Sequence, residues 1–252
     1  MYDYIQEDGL YYFVSDNHEL SVIKPDVENK VYEIKDIIIP NNVYGSPVLY
    51  ISDKAFAYSS IIENVDIQSG IISISWDAFY NCTSLKTINI PESVNTIGSH
   101  AFWNCKSLVS VKLPSNIKKI EDGTFGLCTN LSSIILPDTL NEIQGDAFTC
   151  CRSLKNIKLP KHLNIIHDYA FKHCSSLESI IIPDEVTYIG HAAFMGCKSL
   201  THVTLPNCKH KIYGDIFWDC NNLKQINIPK GTKNRFLTEF DLSYHKDIIV
   251  EI

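Results

Sequence analysis

Apolar positions return along the chain with a period of 23 residues, and the fold follows from that period. Phe79, Phe102, Phe125, Phe148, Phe171, Phe194 and Phe217 are spaced 23 apart, and Phe56 extends the series towards the N-terminus. Leu85, Leu108, Leu131, Leu154, Leu177, Leu200 and Leu223 keep the same spacing, as do Ile88, Val111, Ile134, Ile157, Ile180, Val203 and Ile226. Within one unit Leu85-x-x-Ile88-x-Ile90 ends in the apolar/polar alternation of a half-buried strand, and Pro91, which has no N–H to give a ladder, stops it. Val94, Ile97, Ala101, Phe102 and Cys105 then recur three to four apart, which predicts a loose helical or 3-10 return instead of a second long strand.

No single unit can bury this apolar set, so neighbours must stack and their strands must add rung by rung. The predicted fold class is an α/β-type repeat solenoid with one parallel sheet and short returns. About eight rungs at roughly 4.8 Å make a rod on the order of 40 Å long. Residues 1–52 read as a β-rich N-terminal cap, with Asp8-Gly9 as a hairpin signal and SVIK, VYEI and DIIIP as further strands. Residues 53–229 form the array. Lys209 stands where Val94, Ile117, Leu140, Leu163 and Val186 stood, and residues 230–252, which no longer repeat, read as the C-terminal cap.

A second register is chemical. Cys82, Cys105, Cys128, Cys151, Cys174, Cys197 and Cys220 also lie 23 apart. A nucleophile is needed once and in a partly exposed place, whereas a thiol repeated in every unit behaves as a small hydrophobe on the inside of a tight turn. Side chains pointing inward in parallel have poor disulfide geometry, and the chain's nine cysteines cannot all pair. The expected ladder is therefore structural and reduced.

The unit AFWNCKSLVSVKLP, from Ala101 to Pro114, with AFYNCTSLKTINIP before it and AFTCCRSLKNIKLP, AFKHCSSLESIIIP and AFMGCKSLTHVTLP after it, resembles the BspA-type, or Treponema pallidum-type, leucine-rich repeat. The likeness covers roughly residues 53–229, and DIIIPNNVYGSPVLYISDKAF resembles the entry into such arrays. The resemblance implies a non-enzymatic protein that binds other proteins, in many members by adhesion at the surface of a bacterium or parasitic protist. An intracellular scaffold of the same fold is the alternative, and an enzyme a remote one.

Composition narrows the partners. The formal charge of −7 argues against a general affinity for nucleic acid, whose phosphates select basic surfaces. Residues 1–53 hold ten of the 29 acids and three of the 22 bases, so the whole excess sits at the N-terminal end. No apolar run reaches the roughly 20 residues that span a bilayer, and MYDYIQEDGLYYF has no signal-peptide pattern, so a cytoplasmic address is expected if Met1 is the native start and a surface address by resemblance. A monomer with a protein partner is expected.

Candidate chemistry is sparse. P-loop, G-x-G-x-x-G, H-E-x-x-H and G-x-S-x-G signatures are missing from the sequence. His162 and His167 lie five apart near His173 and Cys174, but without Cys-x-x-Cys companions they read as solvated loop residues, so neither metal nor cofactor is expected. Two surfaces remain. Strand residues flanking the buried positions, among them Asn89, Lys112, Ile135, Lys158, Ile181 and His202, form a concave face poor in aromatic rings. Trp76, Tyr80 and Trp103 form a candidate aromatic patch if SWDAFY makes one helical turn, and such rings either seal the junction of cap and array or anchor a partner.

Overall fold

The computed structural model describes residues 4–24, 32, 34–207, 211–213 and 215–252. Lys209, where the apolar register fails, lies outside the described residues, as do Val31 and Glu33 of the VYEI segment. The array is a solenoid whose long strands pair in parallel, with a 23-residue offset from Asn64 onward. Asp36–Ile39, Asn64–Ile67 and Thr87–Asn89 form one sheet, Ser110–Lys112 pairs with Ser133–Ile135, and Ser179–Ile181, His202–Thr204, Gln225–Ile228 and Ile249–Glu251 form another. The expected single sheet is thus divided into stretches. A second line of two-residue parallel strands, from Lys119–Ile120 through Glu142–Ile143, Ile165–Ile166 and Tyr188–Ile189 to Lys211–Ile212, runs along another side of the coil.

The returns are not helical, which corrects the expectation of helical or 3-10 segments. Among the described residues helix is confined to Lys233–Thr238 and the 3-10 turn Ser243–His245, both beyond the repeats. Left-handed backbone explains the difference. Asp77, His100, Gly123, Asp146, Tyr169 and Ala192 have φ between 50° and 60°, and four residues further on Asn81, Asn104, Leu127, Cys150, His173, Gly196 and Asp219 have φ between 58° and 71°. Two left-handed residues per turn of the coil break any helix into consecutive tight turns. Backbone groups of the returns pair between rungs instead: Phe79 N–H donates to Ala101 O at 2.8 Å, Phe125 to Ala147 at 2.9 Å and Phe148 to Ala170 at 2.8 Å.

Two columns run through the core beside its leucine and isoleucine registers. Eight phenylalanine rings, Phe56 to Phe217, stack with centroids 4.9–5.9 Å apart. Tyr32 continues the stack at 4.8 Å from Phe56, its hydroxyl donating to Ile23 O and accepting from Tyr11 N–H, and His245 meets Phe217 edge-on at 6.0 Å. Beside the rings runs the thiol column. Each ladder Sγ, from Cys82 to Cys220, donates to the carbonyl of the preceding rung's phenylalanine at 3.1–3.2 Å. From Phe79 on, that carbonyl also accepts the N–H of its own rung's cysteine, as Phe125 O does from Cys128 at 3.2 Å, while Phe56 O accepts from Ser59. The cysteine is therefore a donor as well as a filler, which the spacing alone does not reveal.

All seven are buried and free, and burial pushes the thiols of Cys82 and Cys128 up to about 12. Thiolate is the reactive species, so a native-state assay with a thiol reagent is expected to leave the seven unmodified while half-buried Cys150 reacts. Denaturation should release all of them. Fast native labelling of most ladder thiols would contradict the buried column.

The ends close the stack. Tyr4–Glu7 and Leu10–Val14 form an antiparallel hairpin through Asp8 and Gly9, both at positive φ as a type I′ turn requires. Leu20–Ile23 pairs antiparallel with Leu10–Val14 and parallel with Ser46–Ile51, which continues into Ser73–Ile74 and Thr96–Ile97. The pairing of Asp36–Ile39 with Asn64–Ile67 carries the long-strand stack across position 52. At the far end Ile226 pairs with Ile249, again 23 residues on, although the sequence there has lost its repeat; Phe236, Phe240 and Leu242 are buried beside it.

Candidate functional site

The six strand-face residues differ in what they touch. Asn89 Nδ2 donates to Asp66 Oδ1 at 2.8 Å, Lys112 Nζ lies 3.1 Å from Glu92 Oε1, and His202 Nδ1 is 2.9 Å from Thr201 Oγ1. The Ser115 backbone N–H, with help from Lys112, holds the Glu92 carboxyl down at about 2. Ile135, Lys158 and Ile181 are different. They occupy one register position on three successive rungs; Ile135 is 59% and Ile181 71% exposed, and among the described residues Lys158 has no ion-pair partner.

At this point the long-strand ladder is interrupted. Ser133–Ile135 and Ser179–Ile181 are paired on their outer sides, but no strand pairing is formed by residues 156–158 between them. Rung-to-rung bonds flank the gap, Ser153 N–H to Thr129 O at 3.1 Å and Glu178 N–H to Lys155 O at 3.0 Å. A groove of about 670 Å³ opens there, lined by Asn156, Lys158, Pro160, Ile181 and Pro183 with Asp138 and Lys161 at its sides. That volume is in the range of ligand-binding clefts. The sequence names the three register residues but gives no sign of the interruption, because Leu154-x-x-Ile157-x-Leu159-Pro160 keeps the full strand pattern.

Among the described residues no ring contact joins Trp76, Tyr80 and Trp103 to one another. SWDAFY is not a helical turn, since Asp77 has φ 55°. Trp76 is 45% exposed and carries Lys54 Nζ 4.3 Å from its ring; Tyr80 is tilted against Tyr58 at 5.5 Å. Trp103 meets His100 edge-on at 5.3 Å and covers the next rung, where a Cβ on Gly123 or Gly126 would collide with its ring. Each ring thus contacts a different neighbour. His162 and His167, with the loop histidines of other rungs, bridge turns of the coil: His162 to Glu185 at 3.0 Å, His167 to Glu142 at 2.8 Å and His191 to Asp215 at 2.7 Å. Burial raises the Glu142 carboxyl, but hydrogen bonds from His167 and Lys119 outweigh it and lower the group overall. Among the described residues no cluster of three or more His, Cys, Asp or Glu side chains is arranged to hold a metal ion.

The 23-residue coil, its phenylalanine column and its thiol column coincide with a sequence family. The model of the BspA-type leucine-rich repeat region matches residues 49–178 and 164–250. The chain belongs to this family. Among solved structures, a leucine-rich repeat protein from Bacteroides ovatus is 26% identical with a TM-score of 0.54, over 90% of this chain and 69% of that one. The T. pallidum leucine-rich repeat protein is 24% identical with a TM-score of 0.51, over 90% and 85%. The pneumococcal vaccine antigen PcpA, 18% identical with a TM-score of 0.50, spans 99% and 97% and shares the fold. No curated protein matches the chain in sequence. No helix among the described residues is long and apolar enough to cross a membrane.

Proposed function

We propose that this BspA-type repeat protein is a non-enzymatic protein-interaction module, engaging its partner with the long-strand face around Ile135, Lys158 and Ile181. The observation that carries the reading is the exposure of two isoleucines on either side of a lysine that has no ion-pair partner among the described residues, beside an open groove, on a face where Asn89, Lys112 and His202 are already engaged. Exposed aliphatic side chains over a shallow cleft give a partner apolar area to bury, and the lysine between them sets which partner is accepted. The partner is a protein on another cell's surface, in an adhesion-type contact. Trp76, Tyr80 and Trp103 remain a candidate second contact, of which Trp76 offers the exposed ring.

The test is selection of binders from a displayed library of extracellular domains, followed by the Ile135→Glu/Ile181→Glu double variant. Both side chains are exposed, so the melting temperature should stay unchanged while affinity for the selected partner falls at least about tenfold, or 1.4 kcal/mol. Binders that hold wild type and variant equally would move the contact off this face. Binders drawn only from cytosolic domains would favour the scaffold role.

A further inference from the structure

A different corner of the coil, where the turn run leads into the long strand, carries a second site that is independent of the strand face. The position after each ladder cysteine is Thr83, Lys106, Thr129, Arg152, Ser175, Lys198 and Asn221. Cations and hydroxyls alternate along its middle. The neighbouring column, one residue before the cysteine, decides whether that alternation meets a filled or an empty surface. At Lys106 and Thr129 it is filled by Leu127. Three rungs on it is Gly196, held at φ 71°, over which the His173 ring lies so closely that any Cβ there would collide with Nδ1.

The result is a hollow of about 350 Å³ lined by Arg152, His173, Ser175, Gly196 and Lys198. Its backbone frame is fixed by Cys150 N–H to Lys172 O, His173 N–H to Met195 O and Gly196 N–H to Trp218 O, each at 2.7 Å, and by Ser199 N–H to Ser175 O at 3.0 Å. Most of the side-chain donors lining it are left without an acceptor. Among the described residues the Arg152 guanidinium, the His173 ring nitrogens and Ser175 Oγ have no hydrogen-bond partner, and Lys198 Nζ reaches only Asp219 Oδ2 at 3.8 Å. Lys172 stands nearby over the Tyr169 ring at 4.6 Å. This collection of positive charge lies in a chain of net charge −7.

We propose that this hollow is a binding site for a tetrahedral oxyanion, the phosphate monoester or sulfate ester group of a larger ligand. Two cationic arms one rung to either side of a hydroxyl, with an imidazole forming one wall, present convergent N–H and O–H donors to three anionic oxygens. Arg152 supplies the planar fork suited to such a group and Lys198 a mobile point charge. The electrostatics agree: burial lowers the basicity of His173, and Lys172, Arg152 and Lys198 lower it further against the opposing pull of Asp219. An anion in the hollow relieves that repulsion. A volume near the lower end of ligand clefts holds the anionic group and the first sugar or alcohol that carries it, not a long chain.

The experiment is titration of the full chain with inorganic phosphate and, separately, inorganic sulfate at constant ionic strength set with sodium chloride, read by the imidazole NMR signals of His173. Both anions are expected to shift those signals saturably, with a dissociation constant on the order of 1 mM, while the signals of His162 and His18 stay fixed. Arg152 and Lys198 are exposed, so the Arg152→Gln/Lys198→Gln variant should fold as wild type and bind at least about tenfold more weakly. Glycerol 1-phosphate and galactose 6-sulfate then distinguish the source: a gain over the inorganic ion with one carrier assigns the site to phosphate esters or to sulfate esters. Linear, non-saturating shifts, or equal shifts in wild type and variant, would overturn the site.

Discussion

Phe148→Ala lowers stability by about 3–5 kcal/mol, the largest effect expected of a single substitution in this chain. Phe148 has no solvent exposure, and its ring is sandwiched between Phe125 at 5.7 Å and Phe171 at 5.2 Å, with interplanar angles of 9° and 10°. Truncation removes both stacking partners at once. In a globular core neighbouring side chains partly collapse into such a void, but here the rungs are tied by backbone bonds such as Phe148 N–H to Ala170 O at 2.8 Å, so the walls cannot close in. A coil whose turns touch only their neighbours transmits cooperativity through those same contacts. The variant should therefore melt in a broadened or two-step transition as its two halves uncouple. Calorimetry decides the matter: a single sharp transition at the wild-type temperature would refute the stacked column.

Particular residues show how far the chain can be read without coordinates. The phenylalanine, leucine and cysteine registers are legible because a stacked repeat imposes the same environment every 23 residues, so any position that must be apolar announces itself seven times. The strands ending at Pro91 and its equivalents are legible for the same reason. The returns mislead because Val94, Ile97, Ala101 and Phe102 happen to follow a three-to-four spacing, which tight turns also produce when they bring successive apolar residues to one side. A better signal is present in the left-handed columns: Asp77, Asn81, Asn104, Gly123, Asp146, Gly196 and Asp219 are the residue types that tolerate positive φ, and Asn, Asp and Gly recurring in register speak for turns and against a helix.

The strand face shows a different limit. Register places Ile135, Lys158 and Ile181 together, but the groove depends on a loss of pairing at residues 156–158 that their side-chain pattern does not encode. At the C-terminal end the reverse holds. Residues 230–252 lack the sequence repeat yet Ile249 keeps the 23-residue step, since a strand edge accepts any segment that supplies alternating apolar residues and free backbone groups.

Leu127→Asn is expected to raise stability by about 1–2 kcal/mol, against the usual direction of substitutions in a repeat core. Leu127 sits at φ 61°, a conformation that costs a residue with a branched apolar side chain roughly 1–2 kcal/mol and that asparagine tolerates. Its column begins as an amide ladder: Asn104 Nδ2 donates to Asn81 Oδ1 in the rung before. The ladder then stops at leucine, and Asn104 Oδ1 is left buried with no hydrogen-bond partner. An unsatisfied buried acceptor costs about 1–3 kcal/mol, and an asparagine amide in place of the leucine would provide the missing donor in the geometry already used between Asn81 and Asn104. Against these gains stands the loss of the leucine's apolar contact, which is modest because the side chain is only half-buried. For a chain of this size the net gain corresponds to a rise in melting temperature of about 2–8 °C. Leu127→Gly separates the two causes, since it relieves the backbone without providing the amide. Thermal melts should rank asparagine above glycine and both above or equal to leucine; glycine matching asparagine would remove the amide ladder from the explanation, and a fall with both would show that the apolar contact of Leu127 outweighs the strain of its backbone.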